Sequence, residues 1–184
     1  PEVGSPQLSE SMKEGLSVIS ERAHALNLFI QDYQQLTRVP PPTKSVFKLT
    51  PLVQQICHLF DSCHISIPEQ DVSLYADRDQ LQQVLINVFK NANEANISAG
   101  NTASTIHVNW VTSDTTLMIH VTDKGQGIHN TENLFVPFYT TKQHGSGIGL
   151  ILCRQIILNH GGEFTLANAP QAGARASIQL PLIS

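Results

Sequence analysis

Asn133-Leu134-Phe135-Val136-Pro137-Phe138-Tyr139-Thr140-Thr141-Lys142-Gln143-His144 is an irregular run that flows into Gly145-Ser146-Gly147-Ile148-Gly149-Leu150. An apolar stretch follows and reads as a helix to about His160, closed by Gly161-Gly162 as a C-cap. Glycines that lead into a helix N-terminus make an anion site, because free amides and the positive end of the helix dipole face the ligand. Thr140, Thr141 and Lys142 add hydroxyls and a positive charge beside it. The spacing is not that of a Walker A loop, since Lys142 precedes the glycines. Nor is it a Rossmann fingerprint, since no strand leads directly into it. The run from Asn130 to His144, flanked by glycines and with few apolar anchors, is expected to form a mobile lid.

Upstream, residues 105–112 and 117–122 alternate apolar and polar positions around Ser113-Asp114-Thr115, the pattern of an antiparallel hairpin. The second strand ends in Asp123-Lys124-Gly125-Gln126-Gly127-Ile128. A carboxylate at a strand end with glycines after it lets a ligand approach the backbone closely. The same pattern alone does not exclude a plain glycine turn. Further upstream, Asp77 with Gln80 three residues on reads as a capping box for a helix to about Ser98. Leu81, Val84, Leu85, Val88, Ala92 and Ala95 form its buried face, while Gln83, Asn87, Asn91 and Glu94 line another. Asn87 and Asn91 lie one turn apart, so their carbonyl oxygens can converge on a hard cation such as Mg²⁺. Taken alone, solvated surface asparagines are the default reading.

The remaining elements frame these. Residues 163–169 and 174–182 read as two last strands, and residues 65–67 and 72–76 as short ones. Residues 46–49 read as a strand entering a domain, with Thr50 as N-cap and Pro51 in the first turn of a helix to about Asp61. Pro40-Pro41-Pro42 forms a stiff linker and stops the helix before it. In that N-terminal helix Leu8, Met12, Leu16, Ile19, Ala23, Leu26, Ile30 and Tyr33 make a seam with a period near ~3.5, as in a coiled coil or bundle. A helix folded back on its own domain is the alternative. Two parts follow, residues 1–42 and residues 43–184.

Bulk composition narrows the class. The chain has 184 residues, 41% hydrophobic and 14% charged, with a net charge of −4 and no basic run, which argues against a nucleic-acid groove. No apolar stretch is long enough to span a bilayer, and residues 1–11 do not read as a signal peptide. Cys57, Cys63 and Cys153 form no framework, which suggests reduced thiols and a cytoplasmic setting. The Cys57-His58 and Cys63-His64 pairs lack metal-ligand spacing and read as ordinary packing.

The order of Asn87/Asn91, then DKGQG, then LFVPFYTTK, then GSGIGL resembles the Bergerat-type ATP site shared by histidine kinases, gyrase-type ATPases and Hsp90 chaperones. The run ENLFVPFYTTKQHGSGIGLILCRQII is similar to sensor kinases of the nitrogen-regulation type. The N-terminal helix running into QLTRVPPP resembles the second helix of their dimerisation and phosphotransfer hairpin. The resemblance implies an α+β fold: a two-layer sandwich with a mixed, mostly antiparallel sheet and helices on one face, preceded by a long coiled-coil-type helix. It implies a histidine kinase that passes phosphate to a response-regulator receiver domain and dimerises through the hairpin, with neither nucleic acid nor membrane contacted by this part.

Carried over residue by residue, it implies that Asn91 holds Mg²⁺ with Asn87 beside it. Asp123 accepts from the adenine amino group, and Gly125, Gly127 and Ile128 admit the base. Phe138 anchors the lid. Thr140, Thr141, Lys142 and the Gly145, Ser146, Gly147, Ile148, Gly149 and Leu150 amides meet the phosphates. Hydrolytic relatives carry a glutamate where this chain has Asn87, which cannot act as a base, and Glu94 does not replace it. A nucleotide-binding interaction module and an ATPase of the same superfamily are the competing readings. Of the eight histidines none is followed by Glu or Asp, as a family acceptor is, so the acceptor is expected on a helix upstream of Pro1. The family's threonine pair after the last glycine is replaced by Gly173-Ala174-Arg175-Ala176-Ser177, which puts that nucleotide contact in doubt.

Overall fold

The structure, a computed structural model, describes residues 10–37, 39–60, 63–69, 71–101, 104–140, 142 and 145–182. The chain divides into two compact units, Pro1–Arg38 and Val39–Ser184. The described part of the first is one helix, α1 (Glu10–Thr37). Met12, Leu16, Ile19, Leu26, Ile30 and Tyr33 of its seam are all exposed. Leu8 lies outside the described residues.

The second unit carries two sheets. β1 (Ser45–Lys48) and β3 (Ser73–Ala76) pair antiparallel as a two-stranded sheet. β2 (Cys63–Ser66), β4 (Ser104–Thr112), β5 (Thr116–Thr122), β6 (Glu163–Asn168) and β7 (Ala174–Pro181) form a second sheet in the order β2-β4-β5-β7-β6. Among the described residues only the β2–β4 pairing is parallel. Period-two alternation decides which face is dry. Leu117, Ile119 and Val121 of β5 are buried, and Ile119 stands opposite Trp110 of β4 and Ile178 of β7, buried as well. Against that face lie α2 (Leu49–Cys57), α3 (Arg78–Ser98) and α4 (Gly149–Asn159). α3 covers β4 and β5, α4 covers β6 and β7, and α2 packs on α3. This is the expected two-layer sandwich with helices on one face. Among the described residues no helix is long and apolar enough to cross a membrane.

The helix ends show which local signals hold. Asp77 caps α3 as expected, its side chain accepting from the amides of Asp79 and Gln80 at 3.1 Å each. The capping box is not closed. Gln80 turns away and donates from Nε2 to the Pro40 carbonyl at 3.0 Å, while the Asp77 amide donates to His160 Nε2 at 3.0 Å. His160 is buried, and its Nδ1 lies 2.8 Å from the Ile156 carbonyl. Accepting at Nε2 places the ring proton on Nδ1, so this histidine ties the start of α3 to the end of α4. Gly161 and Gly162 close α4 as a Schellman motif, donating to Leu158 and Ile157 carbonyls at 2.9 Å each.

Two expectations for α2 are corrected. Its N-cap is Lys48, not Thr50, and no side chain of the cap residue bonds the helix. The first-turn amides go to a distant segment instead: Thr50 donates to Asp71 Oδ1 at 3.0 Å and Leu49 to the Val72 carbonyl at 2.9 Å. Desolvation raises the pKa of Asp71, but hydrogen bonds from Thr50 and Val72 with the charge of Lys48 carry it below the ordinary carboxylate value. α2 also stops at Cys57 rather than near Asp61, because Leu59 and Phe60 bond three residues back, to Ile56 and Cys57, and tighten the last turn.

Candidate functional site

α3 is the rail on which the site is laid. Asn87, Asn91 and Glu94 are partly exposed along one side of it, while Leu81, Val84, Leu85, Val88 and Ala92 are buried. Phe89 and Asn96 join that buried set, and the sequence pattern had missed both.

At the N-terminal end of the rail stands α4. No side chain caps it, and the amides of Gly149, Leu150 and Ile151 have no helical acceptor. Its first turn abuts Asn87, whose Cγ lies 3.9 Å from where a Cβ on Gly149 would stand. Ile148 is buried at the cap, Leu150 is half-buried and Ser146 is exposed. A depression of about 260 Å³ lined by Asp79, Gln82, Gln83, Ile86 and Asn87 runs from this point along α3. Asp123 does not line it, so side chains spread along α3, rather than one enclosed cavity, define the site.

Behind Asn87 sits Cys153 of α4, fully buried, with Sγ 3.7 Å from the Val84 carbonyl. Burial pushes its thiol up to about 12, against a smaller opposing hydrogen bond from the Asn87 side chain. The thiol is thus a neutral brace for Asn87. A neutral, fully buried thiol is a poor nucleophile, so iodoacetamide is expected to modify half-buried Cys57 and spare Cys153 until the chain unfolds. Peptide mass spectrometry reads this; native alkylation of Cys153 at the rate of Cys57 would refute it.

At the middle of the rail Lys142 reaches across from the lid. Its Nζ donates to Asn91 Oδ1 at 2.8 Å and pairs with the Glu94 carboxylate. The backbone of Lys142 is braced as well, its amide donating to Thr140 Oγ1 at 3.1 Å and its carbonyl accepting from Gly145 at 3.3 Å. A cation therefore rests between two hard oxygens, the donor chemistry that also suits Mg²⁺. Among the described residues no cluster of three or more His, Cys, Asp or Glu exists that would cage a metal without help.

At the C-terminal end lies Asp123, buried where β5 runs out. Its Oδ1 accepts from the amides of Gly125 at 2.8 Å and Ala174 at 3.0 Å, and Oδ2 has no partner among the described residues. The loop is strapped to α3 by Asn96, whose Oδ1 accepts from Lys124 N at 2.7 Å and whose Nδ2 donates to the Thr105 carbonyl at 3.0 Å. Gly125 is needed for that approach, since a Cβ there would stand 2.7 Å from Ala95 Cβ. Gly173 is needed on the other side, at φ 79, where a Cβ would stand 2.6 Å from Asp123 Oδ1 and strike the Asp123 carbonyl. Both glycines therefore serve close packing around the carboxylate. Gly127 lies against Asn168, which fixes Ile128 by accepting from its amide at 2.6 Å and donating to its carbonyl at 3.1 Å. Asn168 carried no signal in the sequence beyond its type.

Described residues of the lid touch both β6 and α4. Phe135 makes an edge-to-face contact with Phe164 of β6 at 6.0 Å, and the Arg154 guanidinium of α4 lies 5.0 Å from the Phe135 ring centroid. Phe138, the expected anchor, is 37% exposed, with a positive φ of 64; its backbone lies against Gly147. Phe135 thus supplies an anchor that the sequence had not singled out. Thr141 and His144 lie outside the described residues.

Comparison with known proteins agrees with this layout. Residues 76–184 match the family model described as "Histidine kinase-, DNA gyrase B-, and HSP90-like ATPase". Over 181 residues the chain is 32% identical to the signal transduction histidine-protein kinase AtoS of Escherichia coli (strain K12), covering 92% of this chain and 29% of AtoS. It is 31% identical over 173 residues to sporulation kinase B of Bacillus subtilis (strain 168), covering 89% and 40%. The chain thus spans less than half the length of these curated relatives. Among solved structures, the nucleotide-free catalytic domain of histidine kinase ThkA superposes with a TM-score of 0.65 at 30% identity, covering 75% of this chain and 95% of that domain. A family model matched over residues 76–184, together with these kinase relatives, means that the chain belongs to the family of histidine kinase-, DNA gyrase B- and HSP90-like ATPases, on its histidine kinase side.

Proposed function

We propose that the chain binds Mg-ATP and passes the γ-phosphoryl group to a histidine on the first helix of a dimerisation hairpin, for relay to a response-regulator receiver domain. One observation carries the reading: α3 aligns a carboxylate, a cation seat and an open helix N-terminus in that order. From Asn87 to Ala95 the helix rises about 12 Å, long enough to seat a nucleotide with its base at one end and its phosphates at the other.

In this reading Asp123 Oδ2 accepts from the adenine amino group, and Gly125, Gly127 and Ile128 shape the wall beside it. The amides at the start of α4 hold the phosphates from Gly149 and Leu150, with Gly145, Ser146, Gly147 and Ile148 leading into them. Thr140, Thr141 and Lys142 close over the phosphates from the lid, and Phe138 shapes its hinge. Mg²⁺ binds at Asn91 beside Asn87, where it would neutralise charge on the β- and γ-phosphates. Asn87 is an amide and takes no proton, so the site presents ATP to an incoming nucleophile instead of activating water. Residues 1–42 supply the second hairpin helix, whose exposed seam fits a homodimer, and the setting is the cytoplasm.

The test mixes the chain with Mg-ATP and a separate hairpin bearing an acceptor histidine. Acid-labile, base-stable phosphate on that hairpin is expected, and only when all three are present. Bound ATP without any phosphohistidine would overturn the kinase reading. Steady hydrolysis by the chain alone, lost on Asn87→Ala, would favour an ATPase.

A further inference from the structure

We propose that Glu94 is a positioning residue of this site: it holds the lid's Lys142 on the oxygen of Asn91 until Mg-nucleotide takes the ammonium's place. The inference rests on the Mg-ATP reading above, which gives Glu94 no role.

Asn91 and Glu94 are three residues apart on α3, so their side chains share a face. Lys142 lies 51 residues from the first and 48 from the second, and its ammonium meets both. The contact is not an accident of a long side chain alone, because the Lys142 backbone is fixed by Thr140 on one side and Gly145 on the other. A neutral amide oxygen by itself attracts an ammonium weakly. The Glu94 carboxylate makes the seat anionic, and it selects a cation before any nucleotide arrives. Its side chain is 38% exposed and that of Lys142 44%, so water screens the pair and it contributes little to stability. Its effect falls on competition at Asn91 instead.

When Mg-nucleotide binds, Asn91 must give up the ammonium and Lys142 must turn to the phosphates. Glu94 is then left beside a polyanion without its partner. Glu94 therefore lowers nucleotide affinity while keeping the lid lysine parked at the point where it is needed. Glu94→Gln is expected to free Lys142 in the nucleotide-free protein and to tighten Mg-nucleotide binding by roughly 2- to 5-fold, the range of an exposed ion pair. Removing a negative charge near phosphates would also tighten binding by simple electrostatics. A double-mutant cycle separates the two, since loss of the pairing predicts that the gain vanishes in a Lys142→Gln background.

Two measurements on the whole chain decide it. In the absence of nucleotide, acetylation of Lys142 by an N-hydroxysuccinimide ester, followed by mass spectrometry, should speed up in Glu94→Gln relative to exposed Lys124. Titration with a fluorescent Mg-nucleotide across the four proteins of the cycle should show the gain only where Lys142 is present. Unchanged Lys142 reactivity, or a gain that persists in Lys142→Gln, overturns the proposal. Failure of the unsubstituted chain to bind the nucleotide would instead sink the Mg-ATP reading, and the amine reactivity does not depend on it.

Discussion

Asp123→Asn is expected to cost roughly 10- to 150-fold in ATP affinity, the equivalent of losing a charged hydrogen bond of about 1.5–3 kcal/mol, with little change in stability. The size of the effect follows from how the carboxylate is held. Two amides, from Gly125 and Ala174, converge on Oδ1. In the variant they still demand an acceptor at that point, so the asparagine oxygen must occupy it. The new NH₂ group is thereby forced to where Oδ2 stood, facing the adenine amino group. An acceptor becomes a donor aimed at a donor. Asp123→Ala removes binding too, but it strands two buried amides at about 1–3 kcal/mol each, which confuses affinity with unfolding. Isothermal titration of Asp123→Asn beside its thermal unfolding curve separates the two. Unchanged affinity in a folded Asp123→Asn protein would remove Asp123 from the adenine site.

What could be read from the sequence depended on the distance of each residue's partner. Asp77 bonds amides two and three residues away, and its role as N-cap was legible. The hairpin of β4 and β5 was legible because alternation and a short turn are local signals. So was the spacing of Asn87 and Asn91, though the sequence alone could not distinguish it from a wet surface. In the structure the Lys142 ammonium, 51 residues away, rests on Asn91. Partners far along the chain were silent. The Gln80 amide was assigned to Asp77 and goes to Pro40, 40 residues away. His160 meets Asp77 across 83 residues, and Asn168 meets Ile128 across 40. Thr50 has the right type for a cap, yet the cap of its helix comes from Asp71 on a separate segment. The edge-to-face contact of Phe135 with Phe164 on β6 was silent for the same reason, because nothing within Phe135-Val136-Pro137-Phe138 points to a ring 29 residues further on.

Asn96 is the strongest case of a silent residue with a large expected effect. It sits on α3 among several asparagines, and its composition and spacing say nothing. It is fully buried, and its amide spans two elements, accepting from Lys124 N and donating to the Thr105 carbonyl. Asn96→Leu keeps the branching and the number of heavy atoms, deletes both bonds and leaves no cavity. Each stranded partner costs about 1–3 kcal/mol, so the variant is expected to lose roughly 2–6 kcal/mol of stability. At about 2–4 °C per kcal/mol, that lowers the melting point by roughly 4–24 °C. Asn101 supplies the comparison. It is exposed and holds the same residue by a single bond, its Nδ2 donating to the Lys124 carbonyl at 2.9 Å. Asn101→Ala is therefore expected to cost only about 0.5–1.5 kcal/mol. The two straps also differ in what they do for ATP. Asn96 fixes the residue immediately after Asp123, so its loss frees the loop that aims the carboxylate, and nucleotide affinity should fall together with faster hydrogen exchange at the Lys124 amide. Equal melting points for the two variants, or an Asn96→Leu protein that binds ATP as the unsubstituted chain does, would show that the loop is held by β5 and β7 alone.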